Sequence, residues 1–565
     1  MKIGRMDQFA SIICAMAVAA VSLAGCAPSG VRTEATAYLS EKDAKEELSE
    51  LIKKIKYTQA EPVLDIYSST ESNIADELAP IDTYPVVVTG KADIVVEIAT
   101  GTEKSSGKND NDSWFDQLAE RFNKQGNTIG GKTVAVSIRS ITAGDALTYI
   151  ADGNYRPDAY APANTLWGDM LSSRGIPITM VKDKLAGNTA GILMKKETYD
   201  TFVKNHGDPT IDKVLQAALD GEFLFAYTNP YTSSTGLNIF SSMLRAFDPE
   251  NPLSDKAAQK LLDYQKTAPP VAFSTGVMRE QAAKGIIEVM VMERQAYINT
   301  PTLKDFVFTP EGVRHDNPLY TFGWVSAEKQ EAVRMFAEYA LGKEAQDIAT
   351  KCGFNYPDDA GYVGRPSGLD GAGLLAAQRI WKVNKDGGRP IVAVFICDTS
   401  GSMNGLPINS LKDAAISAAS YIGSNNYVGV VSYGSTVTVN LPIAEFNDRQ
   451  RAYFNGTVKA LRTGGGTATY DAVLVGMDLL LKAQEGIPDA KLMLFVLSDG
   501  EQNEGYTLDK ITPIVGGLKI PVYGIEFNSD STDLSKLAQI NEAVSIKASS
   551  DNLINQLRGL FNVQM

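Results

Sequence analysis

Histidine is almost missing from this sequence, which has only two among its 565 residues. Neither His206 nor His315 has a second possible ligand at the spacing that zinc sites use, so we expect neither a histidine-based zinc site nor a Ser-His-Asp triad. Basic residues are also outnumbered: 53 Lys and Arg stand against 67 Asp and Glu, and the net charge is −14. Because nucleic acids and anionic membrane surfaces are bound by clustered basic residues, neither is predicted as a partner.

Cysteine is scarce as well, with four residues in the whole chain. Cys14 and Cys26 lie close to the N-terminus, which leaves Cys352 and Cys397 for the folded body. These two could form a disulfide in an oxidising compartment. Cys397 also ends an apolar strand and fits the pattern of a small core residue. Both interpretations stay open from the sequence.

Long apolar runs are missing except near the N-terminus. Lys2 and Arg5 precede an apolar run over residues 9–23, and Leu23-Ala24-Gly25-Cys26 follows. This pattern predicts a signal peptide, because the run is too short and too rich in alanine for a membrane span. The tetrad resembles a bacterial lipobox, which implies cleavage before Cys26 and a lipid on its side chain. The protein would then be anchored by lipid at the extracytoplasmic face of the membrane. The alternative is an ordinary signal peptide cut near Ala27.

The remaining chain is long enough for two to four compact units at roughly 100–200 residues each. A capping pattern from Ser40 to Asp43 precedes a helical face with Leu48 and Leu51, which we interpret as a spacer. Strands and helices alternate from residue 86 onward, which predicts α/β architecture. The predicted divisions are a signal peptide (1–25), a tether and helical spacer (26–85), a first α/β domain (86–360), a linker with a bridging helix (361–388) and a last domain (389–565).

Polar side chains follow two apolar strands of the last domain. Asp398, Ser400 and Ser402 follow the strand over residues 391–397, and Asp499 follows the strand over 492–497. Ligand sites of open α/β sheets lie at the carboxyl ends of strands. Thr467 ends a glycine-rich turn that allows close approach to a ligand. Two carboxylates and three hydroxyls are hard oxygen ligands with little charge, which favours Mg²⁺ or Mn²⁺.

These five residues resemble the metal-ion-dependent adhesion site of von Willebrand factor A (VWA) domains. Asp398-Thr399-Ser400-Gly401-Ser402 matches the family's DxSxS motif, and Thr467 and Asp499 match its threonine and second aspartate. The resemblance covers residues 389–565 and implies a doubly wound, Rossmann-like sheet. It further implies hydroxyl ligation by Ser400, Ser402 and Thr467. A carboxylate of a partner protein would take an open coordination position.

Nucleophilic catalysis by Ser400 or Ser402 is the competing interpretation of this motif. A serine nucleophile needs a base within hydrogen-bond reach, and neither histidine lies in the last domain. We therefore expect a binding site and no enzyme.

The region over residues 86–355 resembles bacterial extracellular solute-binding proteins, which have two lobes. The resemblance rests on the stretches 94–122, 157–167, 227–236 and 320–354, in this order. It implies a ligand cleft in which helix N-termini and short hydroxyl side chains bind solute. For Ser233 to Gly236, an ordinary helix cap is an equal alternative. The candidate cleft residues are Thr100, Thr102, Trp167, Tyr227, Asn229, Ser233, Ser234, Thr235 and Glu293.

Two functions from different classes follow. The first is a membrane-anchored binding lipoprotein that engages a protein partner through the metal, with the two-lobed domain binding a small solute or serving as a platform. The alternative is the substrate-binding component of an ABC-type transport system, with the VWA-like domain as an accessory.

Overall fold

The structure is a computed structural model. It describes residues 38–65, 80–108, 110–267, 278–279, 282, 287–500, 502–527, 532–541, 543, 545–548 and 553–565. The predicted signal peptide and Cys26 lie outside these residues. Among the helices of the described ranges, none combines the length and the apolar character that crossing a membrane requires.

The first lobe of the two-lobed domain is built on a mixed sheet. Its strand order is β2-β5-β3-β6-β12-β7, in which β3 pairs parallel with β5 and β6, and β12 pairs antiparallel with β6 and β7. The strands are β2 (Val86–Val88), β3 (Ile94–Thr100), β4 (Thr128–Ile129), β5 (Lys132–Ser140), β6 (Ala159–Ala161), β7 (Ile178–Lys182) and β12 (Leu319–Phe322). The helices are α2 (Trp114–Lys124), α3 (Ala143–Ala151), α4 (Leu166–Ser173), α10 (Ala327–Leu341) and α11 (Lys343–Lys351).

The second lobe has a smaller sheet in the order β11-β8-β10-β9. The chain enters this lobe between β7 and β8 and leaves it between β11 and β12, so two short crossings join the lobes. The strands are β8 (Thr189–Lys195), β9 (Phe225–Ala226), β10 (Val289–Glu293) and β11 (Phe306–Arg314). The helices are α5 (Lys196–His206), α6 (Ile211–Leu219), α7 (Ser234–Phe247), α8 (Asp255–Thr267) and α9 (Arg294–Ile298).

The predicted bridging helix is α12 (Gly371–Asn384), and it packs on both lobes. Leu374 lies in the first lobe's hydrophobic cluster with residues of α4. An added Cβ on Gly371 would lie 2.0 Å from the Asp169 carbonyl oxygen, so only glycine permits this approach of α12 to α4. On the second lobe, the Trp381 indole donates to the Tyr227 hydroxyl at 2.9 Å, and Gln378 Nε2 donates to the Pro230 carbonyl at 2.8 Å.

The last domain has a seven-stranded sheet in the order β1-β15-β14-β13-β16-β17-β18. Its central strand β13 is apolar and buried over its length, as a strand covered on both faces must be. The strands are β1 (Tyr57–Gln59), β13 (Ile391–Asp398), β14 (Tyr427–Tyr433), β15 (Val437–Glu445), β16 (Lys491–Ser498), β17 (Val522–Phe527) and β18 (Ser545–Ala548). The helices are α1 (Glu41–Ile52), α13 (Leu406–Ala418), α14 (Asp448–Ala460), α15 (Thr469–Gly486), α16 (Leu508–Leu518), α17 (Asp533–Ile540) and α18 (Leu553–Gln564).

Two hydrophobic clusters cover the two faces of this sheet. One contains residues of α13, α14 and α18 and the β13 side chains of Ala393 and Phe395. The other contains residues of α1, α15, α16 and α17 and the β13 side chains of Val392 and Val394. Alternate residues of the strand therefore point to opposite cores, which is the doubly wound arrangement predicted for this domain.

The prediction of a tether and helical spacer over residues 26–85 is wrong for residues 38–65, which contain α1 and β1. Leu48 and Leu51 of α1 are buried in the same cluster as Val394 of β13. Strand β1 pairs parallel with β15 and extends the sheet. The helical face that suggested a spacer is an ordinary core-facing stripe, because its apolar residues meet α15 and α16.

This segment also crosses α14. The Asp65 N–H donates to the Ala452 carbonyl at 3.1 Å, and an added Cβ on Gly456 would lie 2.2 Å from the Val63 carbonyl oxygen. The last domain is therefore discontinuous in sequence. The two-lobed domain is inserted between its N-terminal segment and β13.

The two cysteines of the folded body do not form a disulfide. Both are free and buried. Cys352 belongs to the core of the first lobe, and Cys397 belongs to the core under α13 in the last domain. Of the two interpretations left open by the sequence, the small core residue is the one that the structure supports.

We expect Leu48→Ala to destabilise the last domain by about 2–5 kcal/mol, because it removes a large buried side chain from a packed core. Leu224→Ala is the matched control, since Leu224 is 49% exposed, and its effect should stay within about 0.5 kcal/mol. Denaturant unfolding of the two variants measures both. Equal, small effects would show that α1 does not belong to the core of the last domain.

Candidate metal centre and interlobe contacts

Parallel pairing brings the two aspartates of the predicted site to one edge of the sheet. Strand β13 pairs with β16 from Ile391 to Cys397, in a register that ends with Cys397 opposite Leu497. The chain positions that follow, Asp398 and Ser498–Asp499, therefore emerge side by side. Asp398 Oδ1 accepts from the Ser400 N–H at 2.8 Å, and its Oδ2 accepts from the Ser498 hydroxyl.

The hydroxyl groups of the DxSxS loop connect the two strand ends. Ser400 Oγ lies 3.0 Å from Ser402 Oγ, and the Ser402 hydroxyl donates to Asp499 Oδ1 at 2.9 Å. Asp398 and Ser400 are buried, whereas Ser402 is exposed. Hydrogen bonds through Ser400 and Ser402 thus connect the buried carboxylate of Asp398 with the half-buried carboxylate of Asp499.

Thr467 reaches this edge through the glycine-rich loop before α15. The Gly401 N–H donates to the Gly465 carbonyl at 3.0 Å, and the Gly464 N–H donates to the Thr399 carbonyl at 2.7 Å. Gly465 has φ +83°, a conformation that favours glycine. These bonds bring the loop of Thr467 onto the DxSxS loop, and Thr467 itself is 4% exposed.

Sequence reasoning missed Asn503, which holds Thr467 in place. Asn503 Oδ1 accepts from the Thr467 N–H at 2.9 Å, and the Asn503 N–H donates to the Thr467 carbonyl at 3.1 Å. The only signal in the sequence is a polar residue four positions after Asp499. That signal does not show which of the other loops Asn503 will reach.

The electrostatics of the site leave negative charge without compensation. Burial raises the pKa of Asp398 although Ser498 and Ser400 donate hydrogen bonds to it. Burial also raises the pKa of Asp499; the Ser402 hydrogen bond opposes this, while the charge of Asp398 adds to it. In the part of the chain that the structure describes, no basic side chain lowers the pKa of either aspartate. A divalent cation would supply the missing positive charge.

The donor set fits a hard cation. The described ranges contain no group of three His, Cys, Asp or Glu residues that could hold a metal ion. The five candidate ligands fall outside such a group because only Asp398 and Asp499 among them are of these residue types. The other three donors are hydroxyls, which complete an oxygen-only set of the type that Mg²⁺ accepts together with water. The contacts of their loops bring the five predicted residues to one edge of the sheet.

The interlobe region differs from the predicted open cleft. The Trp167 indole donates to the Ser234 hydroxyl at 2.9 Å, and Asn164 Nδ2 lies 3.3 Å from the Ser234 carbonyl oxygen. Trp167 and Asn164 belong to the first lobe and Ser234 opens α7 of the second, so these contacts join the lobes directly. The sequence predicts that Trp167 forms a wall of the ligand cleft and that Ser234 binds the ligand, but the two side chains are bonded to each other.

Thr235 and Glu293 belong to a buried network around His315. Glu293 Oε1 lies 2.7 Å from His315 Nδ1 and accepts from the Thr235 hydroxyl at 3.3 Å, and its Oε2 accepts from Asn188 at 2.8 Å. Burial alone would raise the pKa of Glu293, but His315 and Lys104 together hold that pKa below its ordinary value. Burial also lowers the pKa of Lys104 to about 8.

Side-chain amides of both lobes surround one ring nitrogen of His315. Asn238 Oδ1 accepts from the Val313 N–H at 2.8 Å, so Asn238 must present its NH₂ group to His315 Nε2, 3.0 Å away. Asn164 Nδ2 lies 3.0 Å from the same nitrogen. The NH₂ groups of Asn238 and Asn164 therefore face His315 Nε2, and His315 Nδ1 faces Glu293. His315 lies where the chain crosses between the lobes, and this position is the only signal that sequence reasoning could have used.

Most of the other candidate cleft residues are bonded to protein groups, but the buried Asn229 Nδ2 has no hydrogen-bond partner among the described residues. Tyr227 is a core residue of the second lobe, so its prediction as a cleft wall is wrong. Ser233 caps α7 by accepting from the Gly236 N–H at 3.1 Å. Asn229 accepts from the Tyr231 N–H at 2.9 Å, and the Thr100 hydroxyl donates to the Ala161 carbonyl at 2.9 Å. Thr102 is exposed.

Comparison with known families matches both domains. The model of the bacterial extracellular solute-binding protein family matches residues 110–355, and that of the von Willebrand factor type A domain matches residues 393–560. Among solved structures, a periplasmic thiamin binding protein is 12% identical, covers 53% of this chain and 99% of its own, and has a TM-score of 0.39. A von Willebrand factor type A protein from Catenulispora acidiphila is 19% identical, covers 31% of this chain and 42% of its own, and has a TM-score of 0.27.

The curated relatives match about a third of the chain or less. Inter-alpha-trypsin inhibitor heavy chain H1 of Sus scrofa is 29% identical over 178 residues, which are 28% of this chain and 18% of that protein. Heavy chain H3 of Bos taurus is 27% identical over 192 residues, 31% of this chain and 21% of that protein. This chain thus spans about a fifth of the length of these relatives.

The family matches confirm the predicted α/β fold class and the order of the two domains. The match of the first domain also implies an extracytoplasmic location. The chain contains a bacterial extracellular solute-binding protein domain followed by a von Willebrand factor type A domain.

Proposed function

We propose that the protein is a lipid-anchored extracytoplasmic binding protein whose VWA domain engages a protein partner through Mg²⁺ or Mn²⁺. Ser400, Ser402 and Thr467 would contribute hydroxyl ligands, and Asp398 and Asp499 would contribute carboxylates. The partner would offer a carboxylate to the ion. The lipid on Cys26 would be the sole contact with the membrane.

One observation carries the metal proposal. Two carboxylates lie at neighbouring strand ends, joined through Ser402 and Ser400, without a basic group at ion-pair distance in the described residues. Burying such charge is unfavourable unless a cation compensates it. Catalysis by these serines lacks support, because His206 lies on α5 and His315 is buried between the lobes. We therefore propose a binding role without enzymatic activity.

For the two-lobed domain we propose the role of a platform. Trp167, Ser234, Thr235 and Glu293, which would receive a solute, bind one another or neighbouring side chains. Helix α12 packs on both lobes in addition.

The second candidate function, the substrate-binding component of an ABC-type transport system, is favoured by the family match over residues 110–355.

Mg²⁺ should stabilise the protein, and Asp398→Ala should abolish that stabilisation. A ligand that binds the folded state at about 100 times its Kd adds about 2.7 kcal/mol to the free energy of unfolding. Thermal unfolding with Mg²⁺ and with EDTA measures the difference. Asp413→Ala is the matched control, because Asp413 is exposed on α13, and it should keep the full Mg²⁺ shift. An unchanged shift in Asp398→Ala would contradict the proposed ligand set.

The affinity for Mg²⁺ should fall on acidification. Burial raises the pKa of Asp398, so a proton competes with the ion at a higher pH than at an exposed aspartate. Affinity should be highest above this raised pKa and decrease as the pH falls through it. Calorimetric titration with Mg²⁺ between about pH 4 and pH 7 measures the dependence. A flat profile would show that Asp398 is not protonated in this range.

Small solutes should leave the thermal stability of the two-lobed domain unchanged. In the proposed platform Trp167 and Ser234 are bonded to each other, so a solute that binds Ser234 would have to displace Trp167. A thermal-shift screen with anions, sugars, amino acids and thiamin in EDTA tests this. Stabilisation by one solute class, lost in Ser234→Ala, would instead support the transport function.

A further inference from the structure

The surface around the metal centre is asymmetric. On one side, Leu406 opens α13 only four residues after Ser402, and it is 66% exposed. The residue before it, Gly405, has φ +88°, so the chain turns sharply between the DxSxS loop and the helix. Ile408 and Leu411, further along the same helix, are buried. The core of α13 is thus formed without Leu406, which presents apolar surface beside the site.

On the other side, an acidic residue lies beside Thr467. Glu504 Oε1 accepts from the Ser435 hydroxyl at 3.2 Å, and Ser435 Oγ accepts from the Gly466 N–H at 2.7 Å. An added Cβ on Gly466 would lie 2.3 Å from Glu504 Oε1, so the carboxylate lies directly against this glycine. Glu504 is exposed. In the described residues it has no basic side chain at ion-pair distance.

Leu406 and Glu504 lie toward opposite faces of the sheet. Helix α13 packs in the cluster that contains Phe395 of β13. Glu504 precedes α16, whose Ile511 and Ile514 pack in the cluster that contains Val394. The loop after β13 leads from Asp398 through Ser402 to Leu406, and the loop after β16 leads from Asp499 to Glu504. A chain that crosses this end of the sheet would therefore meet an apolar side chain, the ion and a negative charge in that order.

We propose that the partner segment crosses the end of the sheet with an acidic residue on the ion, an apolar residue on Leu406 and a lysine or arginine against Glu504. This inference rests on the proposed metal-mediated binding and adds the chemistry that selects the partner. Removing apolar surface from water favours the contact on Leu406. Opposite charge favours a basic residue at Glu504, and repulsion disfavours a like charge there.

A panel of synthetic peptides tests this order. Each peptide carries aspartate at its centre and Leu, Lys, Glu or Ser at the flanking positions, and fluorescence polarisation with the full chain in Mg²⁺ measures affinity. We expect peptides with a leucine on one side and a lysine on the other to bind best. Replacing that lysine by glutamate should weaken binding by about tenfold, since a favourable pair becomes a repulsive one.

Two variants connect these preferences to the two side chains. Glu504→Lys should reverse the charge preference, so that the peptide with glutamate binds better than the peptide with lysine. Leu406→Ser should remove the preference for leucine and keep the charge preference. Glu485→Lys is the matched control: Glu485 is exposed at the end of α15, away from the strand ends that carry the site, and its preferences should equal those of the wild type.

The Mg²⁺ shift in thermal unfolding separates this inference from the proposed function. If Glu504→Lys keeps the Mg²⁺ shift but its peptide preferences equal those of the wild type, the partner order is overturned and the metal site stands. If no peptide of the panel binds in Mg²⁺, the linear recognition proposed here is overturned as well. If peptides bind equally in EDTA or to Asp398→Ala, the metal-mediated function itself fails.

Discussion

The parallel pairing of β13 with β16 is the constraint on which the site of this protein depends. Its register ends with Cys397 opposite Leu497, so Asp398 and Asp499 leave the sheet at the same edge although 100 residues separate them in the chain. Every other element of the site is attached to this pair. The Ser402 hydroxyl donates to Asp499. The glycine-rich loop with Thr467 is held against the DxSxS loop because the Gly401 N–H donates to the Gly465 carbonyl. A shift of the register by one residue would send one of the two aspartates into a core.

The N-terminal segment with α1 and β1 forms part of the same sheet and of its core. Helix α1 covers part of one face, and β1 continues the pairing beyond β15. Both ends of the inserted two-lobed domain are hydrogen-bonded to the last helix of the VWA domain. Asn555 of α18 donates to Thr83 at 2.8 Å, and Lys382 of α12 donates to the Asn562 carbonyl at 2.9 Å. The last helix of the chain thus contacts both the entrance and the exit of the inserted domain.

The two-lobed domain shows how a family fold can keep its architecture while its interlobe groups become partners of each other. Ser234 at the start of α7 is bound by Trp167. His315 Nε2 lies 3.0 Å from side-chain amides of both lobes, and its Nδ1 faces the carboxylate of Glu293. A buried hydrogen-bonded network of this kind stabilises one arrangement of the lobes, because displacing a member leaves its partners without hydrogen bonds. This is the physical basis for treating the domain as a platform.

The sequence by itself determined the α/β class, the order of the two domains and the identity of the five candidate metal ligands. These follow from local features: apolar strands, glycine turns, and polar residues directly after strand ends. Only the tertiary structure decided that α1 belongs to the VWA core, that Asn503 holds Thr467, and that Trp167 binds Ser234. Each of these depends on contacts between residues far apart in the chain. An amphipathic helix has the same pattern whatever covers its apolar face, and a hydroxyl has the same chemistry whether it meets a ligand or an indole.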